Sequence, residues 1–502
     1  MAHFARHLTN QTTTGNDMPA VKSSLSSVVD FFYQVGSYRS GEKYYSRIAV
    51  DNNEIVRLFL ESYNCDRNLT GKILAWSRDP RYGAGSRDAF RTILAYLADN
   101  HPEDAKLLID AIGEIGRWDD AIKALAHLSP KHPVFIHAAM NAWAAVLMHD
   151  RLAAKWMPRK GKLAAKIRAA LGHGGVNVTP KHYRKTIVAN TEVVETQMCE
   201  QQWNKIEYQH VPSLAFARYR CAFRKHDKAR FDDFLKAVEN KEAKIHASAV
   251  YPHDVLKNTI NNSLFDNSTP EDDAINLQWE ELVRTYTSNL AVLPVVDLSE
   301  SMFPCNRQRT GPIHVAVALG VLMANKLQGH WHNVICGFSH KAVSTKLPDD
   351  TGVCRQLRHL FKSIAPSWGM NTNIEALFEF VLDTAAKYSI PKEQMPKSIV
   401  IFSNTQFDQC VDYPDAGALD MIKRRYDEAG YELPKIAFWN LNGYKNMPVT
   451  VNEHAILFSG MSNANVDTLL DILEQIRDGI DINMENIIRQ IINKRKEWDI
   501  WT

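Results

Sequence analysis

The chain has 502 residues, of which 45% are hydrophobic and 23% charged, and its formal net charge is +2. That balance belongs to a soluble globular protein rather than a disordered one, and total charge by itself does not point to nucleic acid. The length exceeds what one core normally fills, so two or three domains are expected.

The first residues, Met1 to Ala20, are polar and lack the apolar centre of a signal peptide, so 1–22 read as a flexible arm. From Ser23 to Leu282 apolar residues recur at helical spacing. The spacing predicts helices at Leu25 to Gln34, Asn53 to Tyr63, Asn68 to Arg78, Ser86 to Asp99, Pro102 to Ile115 and Trp118 to Leu128. Short polar joints between helices suggest stacked pairs, a HEAT-like α-solenoid over 23–288 without a strict repeat period. Within it, Gly83-Ala84-Gly85-Ser86 has neither the third glycine of a dinucleotide fingerprint nor a P-loop lysine, which favours a structural turn over a phosphate cradle.

Charge is uneven along this half. Arg151, Lys155, Arg159, Lys160, Lys162, Lys166, Arg168, Lys181, Arg184 and Lys185 lie in one stretch that holds no Asp or Glu. Lys155, Arg159 and Lys162 can share a helical face or its continuation, with Lys166 and Arg168 on the next helix. Uncompensated cations at this density suit phosphates, because each neutralised phosphate releases counterions; the alternative is a solvated helix face. A second cluster, Arg218, Arg220, Arg224, Lys225, Lys228 and Arg230, is followed at once by acids, and its Tyr219 and Phe223 have core spacing.

The polar stretch Asp266 to Asp273 marks a domain boundary, with a helix at Ile275 to Thr287 beyond it. Ala291 to Val296 then reads as a buried parallel strand that delivers Asp297, Ser299 and Ser301 to its carboxyl end, and Ile313 to Leu327 as the helix returning from it. Ligands of open α/β sheets bind at such ends, and hard divalent cations take oxygen ligands. Those three residues read either as half a cation shell or as helix-capping and loop-satisfying groups. His330-Trp331-His332 precedes a strand at Val334 to Phe338 and reads as a loop rather than a metal site. Thr372 precedes a helix at Ile374 to Ala386. A further strand, Ser398 to Phe402, runs into Ser403-Asn404-Thr405-Gln406-Phe407-Asp408. The last helix, Asn483 to Trp498, is expected to dock on the body, with Trp498 and Trp501 as alternative anchors for a partner.

Asp297-x-Ser299-x-Ser301, a loop Thr372 and the polar strand end at Asn404 together resemble the von Willebrand factor A domain and its metal-ion-dependent adhesion site, over Leu290 to Gly479. Asn404 stands where that family usually has Asp, which removes a charge, and Asp408 compensates only if its loop turns back. Arg78 to Asp88 and Gly116-Arg117-Trp118-Asp119-Asp120 resemble the helical TROVE module of Ro-type ribonucleoproteins. Leu152 to Arg159 and Val211-Pro212-Ser213 are more similar to a related, largely uncharacterised family that joins such a module to a von Willebrand A domain.

The resemblance implies an α plus α/β multidomain protein: a helical solenoid at 23–288, a doubly wound Rossmann-like domain at 289–479 and a C-terminal helix at 480–502, the A domain closing the helices into a ring. It implies RNA binding, with single-stranded ends in a basic hole or structured RNA on the outer surface. It also implies a divalent cation, Mg²⁺ first and Mn²⁺ or Ca²⁺ as alternatives, held by Asp297, Ser299, Ser301, Thr372, Asn404 and Asp408. The other reading is a protein-interaction or assembly component, in a viral particle for instance, that works through the A domain without RNA.

No G-x-S-x-G or H-E-x-x-H pattern occurs, and no catalytic function is expected. Seven cysteines, Cys65, Cys199, Cys221, Cys305, Cys336, Cys354 and Cys410, form no C-x-x-C pair, which argues for a reducing compartment. No apolar run approaches the ~20 residues that span a bilayer, so a cytoplasmic protein is expected, with virion association left open.

Overall fold

The computed structural model describes residues 10–38, 53–247, 249–266, 271–304, 310–364, 368–409, 417–441, 447–448, 455–479 and 483–501. Residues 1–9 of the expected arm, 267–270 of the expected boundary, and Cys305 and Cys410 lie outside them.

The first half is helical and the second holds a six-stranded mixed sheet. Helices Ser27–Val35, Glu54–Cys65, Arg67–Arg78, Arg87–Asn100, Pro102–Asp110 and Asp119–Ala124 follow the predicted spacing to within a few residues. Each packs on a neighbour in the chain and presents its apolar side inward, which is where most helical stability comes from. The long helix Pro133–Leu147 then supports three shorter ones, Arg151–Trp156, Lys162–His173 and Pro180–Ala189. A separate small core around Tyr208, Phe216, Phe223 and Phe231 follows. From it the chain returns through Pro252–Asn261 and Asp273–Arg284, which pack on the first helix of the sheet region, Pro312–Lys326.

Two short strands precede the helices, β1 Gln11–Thr13 and β2 Pro19–Val21, paired antiparallel. The main sheet contains β3 Val292–Asp297, β4 Val334–Phe338, β5 Ala342–Lys346, β6 Ser398–Ser403, β7 Lys435–Asn440 and β8 Ala455–Ser459. Their order is β5-β4-β3-β6-β7-β8, and every pair is parallel except β4 with β5. β3 and β6 are buried along their whole length, as expected of strands covered on both faces. The chain runs outward from β3 to β5 and crosses back to β6, so the β3/β6 boundary is the switch point of the sheet.

One expectation changes, and for the last helix docking on the body holds over the alternative. Residues 10–22 form a docked hairpin, not a free arm: Met18 is buried, and Val21 and Met447 exchange main-chain hydrogen bonds of 3.1 and 2.8 Å. Trp498 and Trp501, offered as partner anchors, are buried at 1% and 4% exposure. Helix Met484–Ile492 packs on Ser27–Val35 and Arg67–Arg78. Beyond it, Trp498 Nε1 donates to Asp79 Oδ2 (3.2 Å) and Trp501 Nε1 to the Asp104 carbonyl (3.2 Å). Gly71 makes room for the Trp501 ring, since a Cβ there would lie 2.4 Å from Cε3. Thus the last residues of the chain lock onto its first helices.

Candidate cation crevice and basic surface

Asp297 ends β3 beside the end of β6, and both of its carboxylate oxygens already accept hydrogen bonds. Ser299 N donates to Oδ1 (2.9 Å) and Ser403 Oγ to Oδ2 (2.5 Å). The residue is fully buried, and burial raises its pKa to about 6 against the lowering effect of those donors. The Ser299 and Ser301 hydroxyls lie 3.1 Å apart. A bridge between Ser299 and Gly369 sets the loop that leads to Thr372 beside this turn. The Thr372 hydroxyl is buried and has no hydrogen-bond partner among the described residues.

Asn404 and Asp408 stand differently. Asn404 Nδ2 donates to Ser301 Oγ (2.7 Å) while its Oδ1 accepts from Gln406 N (3.2 Å), so its oxygen is committed to its own loop. The loop after β6 does turn back, with Thr405 at φ +60°. Asp408 uses that turn to hold Thr372: its Oδ2 accepts from Thr372 N (2.8 Å), and its own N–H donates to the Thr372 carbonyl (3.0 Å). Asp408 therefore positions Thr372, and Asn404 steadies Ser301. Among the described residues there is no group of three or more His, Cys, Asp or Glu suited to a metal. The candidate set, one carboxylate and three hydroxyls, is instead the hard oxygen chemistry that Mg²⁺ or Mn²⁺ accepts. The unpartnered Thr372 hydroxyl and the buried Asp297 charge fit a cation.

The basic stretch sorts into committed and free cations. Arg151 pairs with Glu192 (3.1 Å) and Lys155 with Glu195 (2.7 Å), both acids from just beyond the acid-free window. Lys166 Nζ donates to the Ala126 carbonyl (2.5 Å) over the Phe135 ring, and burial lowers its pKa. Arg168 is half-buried beside Tyr183. Arg159, Lys160, Lys162, Lys181, Arg184 and Lys185 are exposed and have no acidic partner among the described residues. The first helix stops at Trp156, so Lys155, Arg159 and Lys162 do not share a helical face. Tertiary contact joins the free cations instead: Tyr183 Oη donates to the Pro158 carbonyl (3.1 Å) and its ring stacks on Trp143. That sets the 159–162 turn against helix Pro180–Ala189, whose Lys181, Arg184 and Lys185 share one face.

A second basic feature escaped the sequence reading. Arg87 is exposed yet crowded by protein, and burial first, then the guanidinium groups of Arg117, Arg78 and Arg91, push its pKa down. Asp254 faces Arg218, Arg87 and Lys257 at this place, and Tyr251 Oη donates to the Gly85 carbonyl (2.8 Å). Outgoing and returning helices therefore meet here, and no sequence spacing could have shown it. Gly83 and Ala84 are occupied by the junction with the sheet region, since the Gly83 carbonyl accepts from Ser462 Oγ and the Ala84 carbonyl from Met461 N, consistent with a structural turn. In the later cluster, Arg220 and Arg224 pair with Asp272, Lys228 with Asp232 and Arg230 with Asp227, and Phe223 is core.

Comparison with known proteins adds relatives without roles. Residues 291–499 match a domain of unknown function, DUF7788, and residues 147–289 match another, DUF2828. The chain is 24% identical over 510 residues to an uncharacterized protein, L728, of Acanthamoeba polyphaga mimivirus, covering 91% of this chain and 84% of that one. The crystal structure of the Deinococcus radiodurans RO (RSR) protein aligns over 88% of this chain and 99% of that chain, at 12% identity and a TM-score of 0.38. A likeness that loose assigns neither fold nor role. No helix among the described residues is long and apolar enough to cross a membrane.

Proposed function

We propose that this chain is an RNA-binding scaffold of the Ro type. Its helices form the solenoid that carries the RNA, and the sheet region is a von Willebrand A-like domain that closes the arc and holds a divalent cation. The observation that carries the reading is the set of six exposed cations, from Arg159 to Lys185, that have no acidic partner among the described residues in a nearly neutral protein. Surface charges in a neutral protein are normally interspersed with opposite sign, and phosphates supply the missing anions. The basic cluster of Arg87, Arg218 and Lys257 around Asp254 is a second place that phosphate could approach. Asp297, Ser299, Ser301 and Thr372 would hold the cation, which would offer a partner's carboxylate or phosphate an open coordination position. No catalytic role is assigned.

The test is binding of a single-stranded RNA oligonucleotide, followed by fluorescence polarisation across a salt series. The expected result is binding that weakens steeply with salt and is lost on charge reversal at Lys181, Arg184 and Lys185. Absence of binding at low salt rejects the RNA reading and leaves the protein-assembly one. Calorimetry with Mg²⁺ and Mn²⁺ on wild type and Asp297→Ala tests the crevice, and equal heats count against it.

A further inference from the structure

We propose that the N-terminal hairpin Gln11–Val21 is a strap that fixes Thr372 through Asp408 and thereby sets the cation affinity of the crevice. The inference rests on the cation reading above and goes beyond it by naming a control element.

Between its two strands the hairpin lays residues 14–17 along the loop that leaves β6. Thr14 Oγ1 donates to the Phe407 carbonyl (2.5 Å) and Gly15 N to Gln406 Oε1 (2.6 Å). Asn16 Nδ2 donates both to the Gln406 carbonyl (3.0 Å) and to Asp408 Oδ1 (2.7 Å), while the Asn16 carbonyl accepts from Gln409 N (2.9 Å). Asp408 is thus a two-sided bridge. One oxygen is held by the hairpin, and the other holds the main chain of Thr372, whose hydroxyl is the unpartnered buried oxygen of the crevice.

The strap is itself anchored at its far end. Ser23 Oγ donates to Asp30 Oδ2 (2.5 Å) and Ser24 N to Asp30 Oδ1 (2.7 Å), which ties the hairpin to helix Ser27–Val35. That helix packs on β8 on one side and on the helical half on the other. The hairpin therefore connects the helical half to the loop beside the crevice. Groups that orient a ligand from behind ordinarily change metal affinity about 10- to 100-fold when removed. Asn16 is exposed, so changing it leaves the core intact.

The experiment uses the full chain, with Mn²⁺ as the probe. Calorimetry compares wild type, Asn16→Ala and Asn16→Asp, and hydrogen exchange follows the peptide 369–373 against the remote helix Pro312–Lys326. Asn16→Ala is expected to weaken Mn²⁺ about tenfold. Asn16→Asp, which sets a carboxylate against Asp408, is expected to weaken it further. Both variants should speed exchange at 369–373 and leave the remote helix unchanged. Wild-type affinity in Asn16→Ala overturns the strap and leaves the cation site standing, whether or not exchange changes. A wild type that binds no Mn²⁺ removes the cation reading itself and the strap's role with it.

Discussion

Lys181, Arg184 and Lys185 should dominate RNA affinity, whereas Arg151 and Lys155, equally basic in sequence, should contribute little. Changing Lys181, Arg184 and Lys185 to Gln removes three cations that have no acidic partner among the described residues. For single-stranded nucleic acid each phosphate contact contributes about 0.7 to the slope of log K against log salt, so the slope should become shallower by about 2. Referred to 1 M salt, the same three contacts amount to about 1.7 decades at ~0.15 M, so affinity should fall about 50-fold. The control is charge-neutral: Arg151→Gln with Glu192→Gln, and Lys155→Gln with Glu195→Gln, remove two ion pairs without changing net charge. It should keep both slope and affinity within about twofold, because the exposed Arg151–Glu192 pair and the half-buried Lys155–Glu195 pair already neutralise themselves and leave no free cation for a phosphate. The assay is polarisation of a labelled oligonucleotide over a salt series. Equal losses in the two variants, or an unchanged slope in the triple variant, would refute the division into free and committed cations.

The further outcomes concern stability. Trp501→Ala should cost about 3–5 kcal/mol in a denaturant titration by emptying the site over Gly71, and Gly71→Ala about 1–3 kcal/mol by overfilling it. Lys326, wholly buried, donates to the Leu282 carbonyl (2.9 Å) and Thr285 Oγ1 (2.8 Å) and pairs with Asp467 (2.8 Å). Lys326→Met should therefore cost about 3–5 kcal/mol, rescued in part by Asp467→Asn. His314 is buried between Gly311 N (3.1 Å) and Asn261 Oδ1 (2.8 Å), and burial lowers its pKa to about 4. The unfolded chain takes up that proton near pH 6.5 and the folded one only near 4, so stability should fall as pH drops through this window, by up to about 3 kcal/mol. The pH dependence of the melt should be flatter there in His314→Asn, and an unchanged profile would remove His314 as its source.

Much of the layout was legible because it is local. Val334–Phe338 appears where its apolar run placed it, and Ile374–Lys387 lies one residue from its predicted end. The Asp297-x-Ser299-x-Ser301 turn does lie at a strand end, and a bridge from Ser299 to Gly369 sets the loop that leads to Thr372 beside it. The arm was misread because its anchors are remote: Met447 and the loop at 406–409 lie about 400 positions away, beyond any periodicity. Trp498 and Trp501 were ambiguous for the same reason, as an aromatic tail looks alike whether Gly71 receives it or a partner does.

The sequence by itself determined where the early helices and the strands β3, β4 and β6 lie and which residues end β3, because hydrophobic period and strand-end chemistry are properties of neighbouring residues. The tertiary structure alone decided how those groups are used. It paired Arg151 and Lys155 with acids about 40 positions on, turned the Asn404 oxygen away from Ser301, and made Asp408 a bridge between Thr372 and Asn16. Hydrogen bonds and ion pairs act over a few ångströms whatever the separation along the chain, so only the folded arrangement reveals which charge is free and which is spoken for.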